Sequence, residues 1–279
     1  MKKYLFVLSA LVLLAFSSCK KIAGDPITQE FSIDGTYTEL EVDDAFDVTV
    51  SDAATAIVVT AGEKVMPKVI VEKVGSKLKI RLKPLASSYG SDMTVILPYN
   101  ADLTSVELSG ASEFHSGYGL VGEKVTVDLS GASEFHCNLD ADEIDIDLSG
   151  ASDYYGDIDA DEIDMSLSGV SGFEGHVNAT DLDLEVSGAS TANMIGQVSM
   201  LKIDLSGGSI IKKTITGTNY GFVCDQCEGF MSGASSAYIH CDGNIKVNLS
   251  GASDLHYTGN AFTSDSQTSG GSNIYHDVL

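Results

Sequence analysis

The sequence predicts an all-β protein, a right-handed parallel β-helix built from coils of about 19 residues and preceded by an N-terminal β region that caps the stack. Three observations predict it. The tetrad Ser-Gly-Ala-Ser, or a close variant, begins at Ser109, Ser130, Ser149, Ser168, Ser187, Ser206, Ser232, Ser250 and Ser269, at intervals of 21, 19, 19, 19, 19, 26, 18 and 19 residues. Such a period marks one structural unit stacked on copies of itself. Ahead of the tetrads, apolar and polar residues alternate, as in Ile144-Asp145-Ile146-Asp147-Leu148, which describes a strand with one buried face. Glycine and β-branched residues recur in the units, against a helical repeat. The right hand follows from strand twist.

Taken in order, residues 1–18 read as a signal peptide: Lys2 and Lys3 are followed by an apolar run, Tyr4–Phe16, shorter than the ~20 residues that span a bilayer. Ser17-Ser18-Cys19 resembles a lipoprotein box, so Cys19 is expected to be the lipidated first residue of an outer-membrane lipoprotein, on the periplasmic or the surface-exposed face. Residues 20–30 carry a Gly-Asp-Pro turn signal and read, with Cys19, as a tether. Residues 31–104 read as the capping β region, with strands at Tyr37–Val42, Phe46–Val50 and Ala56–Thr60 and a hairpin of Lys68–Val74 and Lys77–Lys83 turning at Gly75-Ser76. Met93–Leu97 leads into the repeats, which occupy 105–279. A cap is needed because an open stack end exposes unpaired backbone and apolar side chains.

Each repeat is numbered from its first serine. Positions −5, −3 and −1 are apolar, as in Val125/Val127/Leu129 and Leu201/Ile203/Leu205. Position +5 forms a second column (Phe114, Phe135, Tyr154, Phe173, Ala192, Ile211, Ala237, Leu255, Ile274), and position +9 a third (Leu139, Ile158, Val177, Ile215, Cys241). Three inward columns describe a coil with three short faces. Glycine at +1 fits a corner that needs positive φ or close packing. Uninterrupted alternation would turn the +3 serine inward; a bulge at the glycine would turn the +2 alanine inward instead. The 26-residue unit carries Lys212-Lys213 and Cys224-Asp225-Gln226-Cys227, and a loop is expected to protrude there.

The chain has 16 basic and 40 acidic residues, a formal charge of −24. That balance excludes nucleic-acid backbones and bare anionic lipid as partners. Two outward rows are candidate sites. Glu113/His115, Glu134/His136, Asp153/Tyr155 and Asp254/His256 form a binding strip for a metal or a sugar, or else mutually screened surface rows. Asp128, Asp145, Asp147, Asp164, Asp183 and Glu185 are weak Ca²⁺ candidates, because like charges one rung apart repel unless solvated or neutralised. No other cofactor is indicated. For an exported chain, a local Cys224–Cys227 disulfide is favoured over zinc. Cys137 reads as a core residue. The serines form a structural ladder without a placed His-Asp partner, and the repeats contain no arginine to neutralise a uronate, so no catalytic residues are assigned.

The pattern Tyr37-x-x-Leu40-x-Val42, Phe46-Asp47-Val48-x-Val50, Lys77-Leu78-Lys79-Ile80 and the following Leu-Ser-Gly-Ala-Ser ladder resembles the putative auto-transporter adhesin, head GIN domain family. The resemblance covers roughly 31–272 and implies a right-handed β-helix with no catalytic residues to carry over. The expected function is therefore a lipid-anchored envelope protein whose β-helix binds a glycan or a surface protein. The alternatives are a polysaccharide-active enzyme on the same fold and a purely structural envelope component.

Overall fold

A computed structural model describes residues 23–278 apart from 89, 213, 217 and 218, with the backbone alone at 215, 216 and 219. The expected signal peptide and Cys19 lie outside the described residues, as do Lys213 and the side chain of Ile215. The chain forms β1 (Pro26–Phe31), β2 (Glu39–Val42), β3 (Phe46–Ser51), β4 (Ile57–Gly62), a 3-10 turn, β5 (Val69–Val74), β6 (Lys77–Leu82) and β7 (Met93–Pro98). There follow β8 (Ser105–Leu108), β9 (Glu113–His115), β10 (Leu120–Leu129), β11 (Glu134–His136), β12 (Leu139–Leu148), β13 (Asp153–Tyr155), β14 (Ile158–Leu167), β15 (Gly172–Val186) and β16 (Thr191–Leu205). The last are β17 (Ile210–Ile211), β18 (Ile215–Thr216), β19 (Asn219–Tyr220), β20 (Phe222–Met231), β21 (Ser236–Leu249), β22 (Asp254–Thr258), β23 (Gln267–Thr268) and β24 (Asn273–His276).

All but β18 and β19 join one sheet that winds as a parallel β-helix. Period-two alternation sends apolar residues inward from three faces. On the first, Val127, Ile146, Met165, Leu184 and Ile203 lie in register. On the second, Phe114, Phe135, Tyr154 and Phe173 are buried with ring centroids 5.1–5.2 Å apart. On the third, Leu139, Ile158 and Val177 align beside Ala141, Ala160 and Ala179. Cys241 pairs with Cys224 in the alanine column, not the Leu139 column. The cause is the distance between inward columns: Ala237 to Cys241 is two residues shorter than Phe173 to Ala179.

The corner after the first face explains the tetrad. Its glycines, from Gly110 to Gly270, all have φ between 71° and 79°, where an L side chain is strained. The amide of the +2 residue donates to the carbonyl of the preceding coil's glycine at 2.7–3.0 Å, from Ala132→Gly110 to Gly271→Gly251. That approach leaves no room for a methyl group: a Cβ on Gly150 would sit 2.5 Å from the Gly131 oxygen. The +3 serine turns inward and the +2 residue outward. Ser112, Ser133, Ser152, Ser171, Ser190, Ser209, Ser235, Ser253 and Ser272 are all buried. A buried hydroxyl needs a partner, and five of these donate across the corner to the carbonyl of the first serine, as Ser133 does to Ser130 at 2.8 Å.

The N-terminal region is both first coil and cap. β2 lies parallel to β8, and β3 parallel to β9, so the stack begins at Glu39 and its core runs without interruption across residue 104. In this first coil the corner is Asp43-Asp44-Ala45, with Asp44 and Ala45 both at φ 67°. The Ser109 amide donates to the Val42 carbonyl there, while Asp44 accepts from the Leu82 amide at 2.8 Å. Beyond β2 and β3 the sheet continues through β6 and β7 and ends in antiparallel strands: β5 on β6, β4 on β7, and β1 on β4. The hairpin turning at Gly75 is as expected from the sequence.

Two expectations are corrected. The tether was expected to reach residue 30, but Pro26–Phe31 is strand β1, in register with Gly62–Ile57. It is an exposed edge strand that opens on a proline, which an edge tolerates because no partner needs the missing N–H. In the 26-residue unit the wall is left after Ile211 and rejoined at Phe222, and β18 pairs antiparallel with β19 between them. The Cys-x-x-Cys sequence lies after that excursion, inside wall strand β20.

The corner makes a direct prediction. Gly150→Ala should destabilise the chain by about 2 kcal/mol or more, combining the left-handed backbone cost with the backbone overlap. Gly117→Ala, where φ is not positive and a Cβ meets nothing within 4 Å, should change stability by less than about 0.5 kcal/mol. Denaturant titration of both variants distinguishes them; equal effects would contradict the corner's role.

Candidate functional site

The predicted strip lies on the second face, where β9, β11 and β13 put Glu113, Glu134 and Asp153 in one row and His115, His136 and Tyr155 in the next. Exact register stacks the rings: His115 on His136 at 4.5 Å and 18°, His136 on Tyr155 at 4.7 Å and 12°. Each imidazole also meets the acid on its own strand, His115 Nε2 to Glu113 Oε2 at 3.3 Å and His136 Nε2 to Glu134 Oε2 at 3.4 Å. Burial and the Glu134 charge raise the Asp153 carboxyl. Burial, with Asp153, Glu134 and Glu174, raises the Tyr155 phenol.

The strip is not continuous. The acid row passes through Gly172, Thr191, Ile210 and Ser236 before reaching Asp254. Asp254 and His256 therefore form a second block, where His256 stacks between Tyr238 and Tyr275 at 4.7 and 4.6 Å. Its Nδ1 lies 3.0 Å from Asp277 Oδ2, and the Tyr220 hydroxyl donates to the same carboxylate. Tyr238 and Tyr275 carry a sequence signal, since both stand at +6 of their units. Within each block the inner rings stack on neighbours on both sides, while the end rings Tyr155 and Tyr275 each stack on one side only. Most of the strip therefore presents hydrogen-bonding groups and carboxylates, with an open ring face at Tyr155 and at Tyr275.

The acidic rows occupy the first face. Asp128 and Asp147 share one row with Glu41, Glu107 and Glu185, while Asp145, Asp164 and Asp183 form its neighbour. Lysines answer part of this charge. Lys77 reaches Glu107 at 2.8 Å and Glu41 at 3.4 Å, Lys79 reaches Glu41 at 2.6 Å, and Lys124 reaches Asp145 at 2.6 Å. Partial burial works to raise the Glu41 carboxyl, yet Lys79 and Lys77 hold it below the ordinary value. Further along the stack the sign reverses: burial, then Glu107 and Asp147, raise Asp128, and burial, then Asp183, Asp145 and Glu143, raise Asp164. Among the described residues the carboxylates of the Ca²⁺ candidates do not converge in threes within 4.8 Å; Asp47, Glu113 and His115 do.

Where these rows reach β16, β20 and β21 they change character. Asp183 is followed in its row by Lys202, Glu228 and Lys246, and Glu185 by Asp204, Phe230 and Asn248. Together they line an open groove of about 470 Å³. Phe230 is 59% exposed, in a row otherwise of polar residues, and that break in the row is the sequence signal for it. Cys224 and Cys227, where a local bridge is expected, are buried and unbridged in this structure, as are Cys137 and Cys241. Burial pushes the Cys137 thiol up to about 11.

Comparisons with known proteins agree with this architecture. Residues 36–175 and 154–261 match the family described as Putative auto-transporter adhesin, head GIN domain. A solved structure of a putative adhesin from Parabacteroides distasonis is similar at 17% identity and a TM-score of 0.64, covering 91% of this chain and 95% of that one. A putative adhesin from Parabacteroides merdae gives 18%, 0.62, 90% and 95%, and a putative lipid binding protein from P. distasonis gives 18%, 0.59, 90% and 96%. At these identities the likeness shows the fold. No curated protein matches.

The raised Asp164 carboxyl predicts a pH dependence. Just above the ordinary value of 3.8 the folded chain holds more protons than the unfolded one. Stability from this group therefore falls as pH rises through that window and stays reduced above it. Asp164→Asn should melt higher than the parent at neutral pH, with the difference vanishing once the pH falls below 3.8. An unchanged or lower melting temperature at neutral pH would show that the charged row costs nothing.

Proposed function

This chain belongs to the family described as Putative auto-transporter adhesin, head GIN domain, and from that premise we propose that it is an exported, lipid-anchored envelope protein that binds glycan. The groove around Phe230 carries the reading. It is the place on the first face where an exposed ring stands among carboxylates, two ammonium groups and an amide. Those groups accept and donate hydrogen bonds to hydroxyls, while the ring offers an apolar surface to a sugar. The strip on the second face offers less of that combination, because most of its rings are stacked on each other and no lysine or arginine is paired with its acids among the described residues. A net charge of −24 favours neutral or cationic glycans over polyuronates.

The reading contains no catalytic step. The abundant serines close corners inside the stack. Asp183, Lys202, Glu228 and Lys246 alternate along one row, so acids and ammonium groups offset one another rung by rung. The export and anchoring part rests on the Lys2–Cys19 pattern; on this reading a lipid on Cys19 tethers the chain to the outer membrane.

A glycan array probed with labelled protein tests the binding. The parent should bind a defined set of neutral glycans, Phe230→Ala should lose about tenfold or more, as expected for truncation of an aromatic anchor, and His136→Ala should bind like the parent. Equal binding by Phe230→Ala would remove the groove from the account. A blank array would favour a surface-protein partner or a purely structural role. Intact mass of the mature chain checks the anchor: it should begin at acylated Cys19, and an unmodified start elsewhere would exclude lipidation.

A further inference from the structure

We propose that Asp47, Glu113 and His115 form a binding site for a divalent first-row transition metal ion, of the Zn²⁺ or Mn²⁺ class, at the N-terminal end of the strip. Asp47 on β3 and Glu113 on β9 are direct partners across adjacent rungs. His115 stands two residues beyond Glu113, on the same outward side of the strand. One ligand atom from each residue lies within 4.8 Å of the other two, a convergence that no other such group among the described residues achieves. His115 Nε2 already faces Glu113 Oε2 at 3.3 Å, and stacking on His136 at 4.5 Å holds its ring.

A second, independent observation points the same way. Asp47 Oδ1 is shut off from solvent and has no hydrogen-bond partner. Leaving a carboxylate oxygen buried without a donor is costly. Several nearby acids on the first face have a cation: Glu41 and Glu107 have Lys77 or Lys79, Glu72 has Arg81, and Glu143 and Asp145 have Lys124. Among the described residues neither Asp47 nor Glu113 pairs with a lysine or arginine. A divalent cation held by the Asp47 carboxylate, Glu113 and His115 would supply the missing countercharge and relieve the unpartnered carboxylate.

The donor set selects the ion class. Imidazole nitrogen with two carboxylates suits zinc, manganese or iron, whereas Ca²⁺ takes oxygen ligands only. Three protein ligands from two rungs approach from one side, and the outward side is left for water or for an oxygen of a bound partner.

Isothermal titration of the purified protein with ZnCl₂ tests the site, using Asp47→Asn and His115→Gln as site variants and Glu162→Gln, an exposed acid elsewhere on the stack, as a control. One ion per parent chain is expected, with binding weakened about tenfold or more in both site variants, unchanged in the control, and not displaced by excess Ca²⁺. Co²⁺ should give the visible d–d absorption of a nitrogen-containing ligand field, lost in His115→Gln. Metal-free circular dichroism and melting confirm that each variant is folded. Absence of binding by the parent, parent-like binding by both site variants, or displacement by Ca²⁺ would each overturn the assignment.

Discussion

The hydrogen bond from the +2 amide to the glycine carbonyl one coil below is the constraint on which the rest of the structure depends. It requires two backbones to meet at 2.7–3.0 Å at a corner, which a Cβ on the glycine would forbid. It also fixes the next residues. Once the glycine takes a left-handed conformation, the chain leaves the corner with the +3 serine inward, where its hydroxyl closes the turn. The same contact repeated along the stack locks successive coils into register, so each residue meets its counterpart in the neighbouring unit.

Register of that kind turns sequence repetition into rows of identical chemistry, with gains and costs. Aromatic rings gain from it, both inside the stack and on the strip outside. Carboxylates lose: burial first, and then like charges set one rung apart, raise the Asp128 and Asp164 carboxyls. The chain meets this cost locally. The capping hairpin supplies Lys77 and Lys79 at one end, Lys124 serves the next coils, and Lys202 and Lys246 alternate with acids further on. The groove falls where a row is interrupted, by Phe230, and the metal site falls at the end of an acid row, where Asp47 and Glu113 meet His115.

The architecture was legible in the sequence because its causes are local and repeated. Period, alternation and the corner glycine each leave a mark in every unit. The choice between an inward alanine and an inward serine was not legible, since both are small. What decides it is the left-handed glycine, which turns the +3 position inward in every unit, Ser209 included, whose hydroxyl has no partner. β1 was read as tether because its partner β4 is some thirty residues away and its own residues are exposed, leaving no alternation to see. Asp47 was missed for a related reason: the first coil turns at Asp43-Asp44-Ala45, so no tetrad flags β3 as part of the stack. The gap between the strip's two blocks came from single substitutions, Gly172 and Ile210 among them, that a list of matching positions passes over.

Hydrogen exchange at the corner amides tests the central claim most directly. The side chains of Ala132, Ala151, Val170, Ala189 and Ala252 are exposed, yet each amide donates to a glycine carbonyl of the preceding coil. If that bond holds the stack, these amides exchange as slowly as those of the buried strands, opening only with the coil itself. Exchange at the rate of a free surface turn would contradict the account.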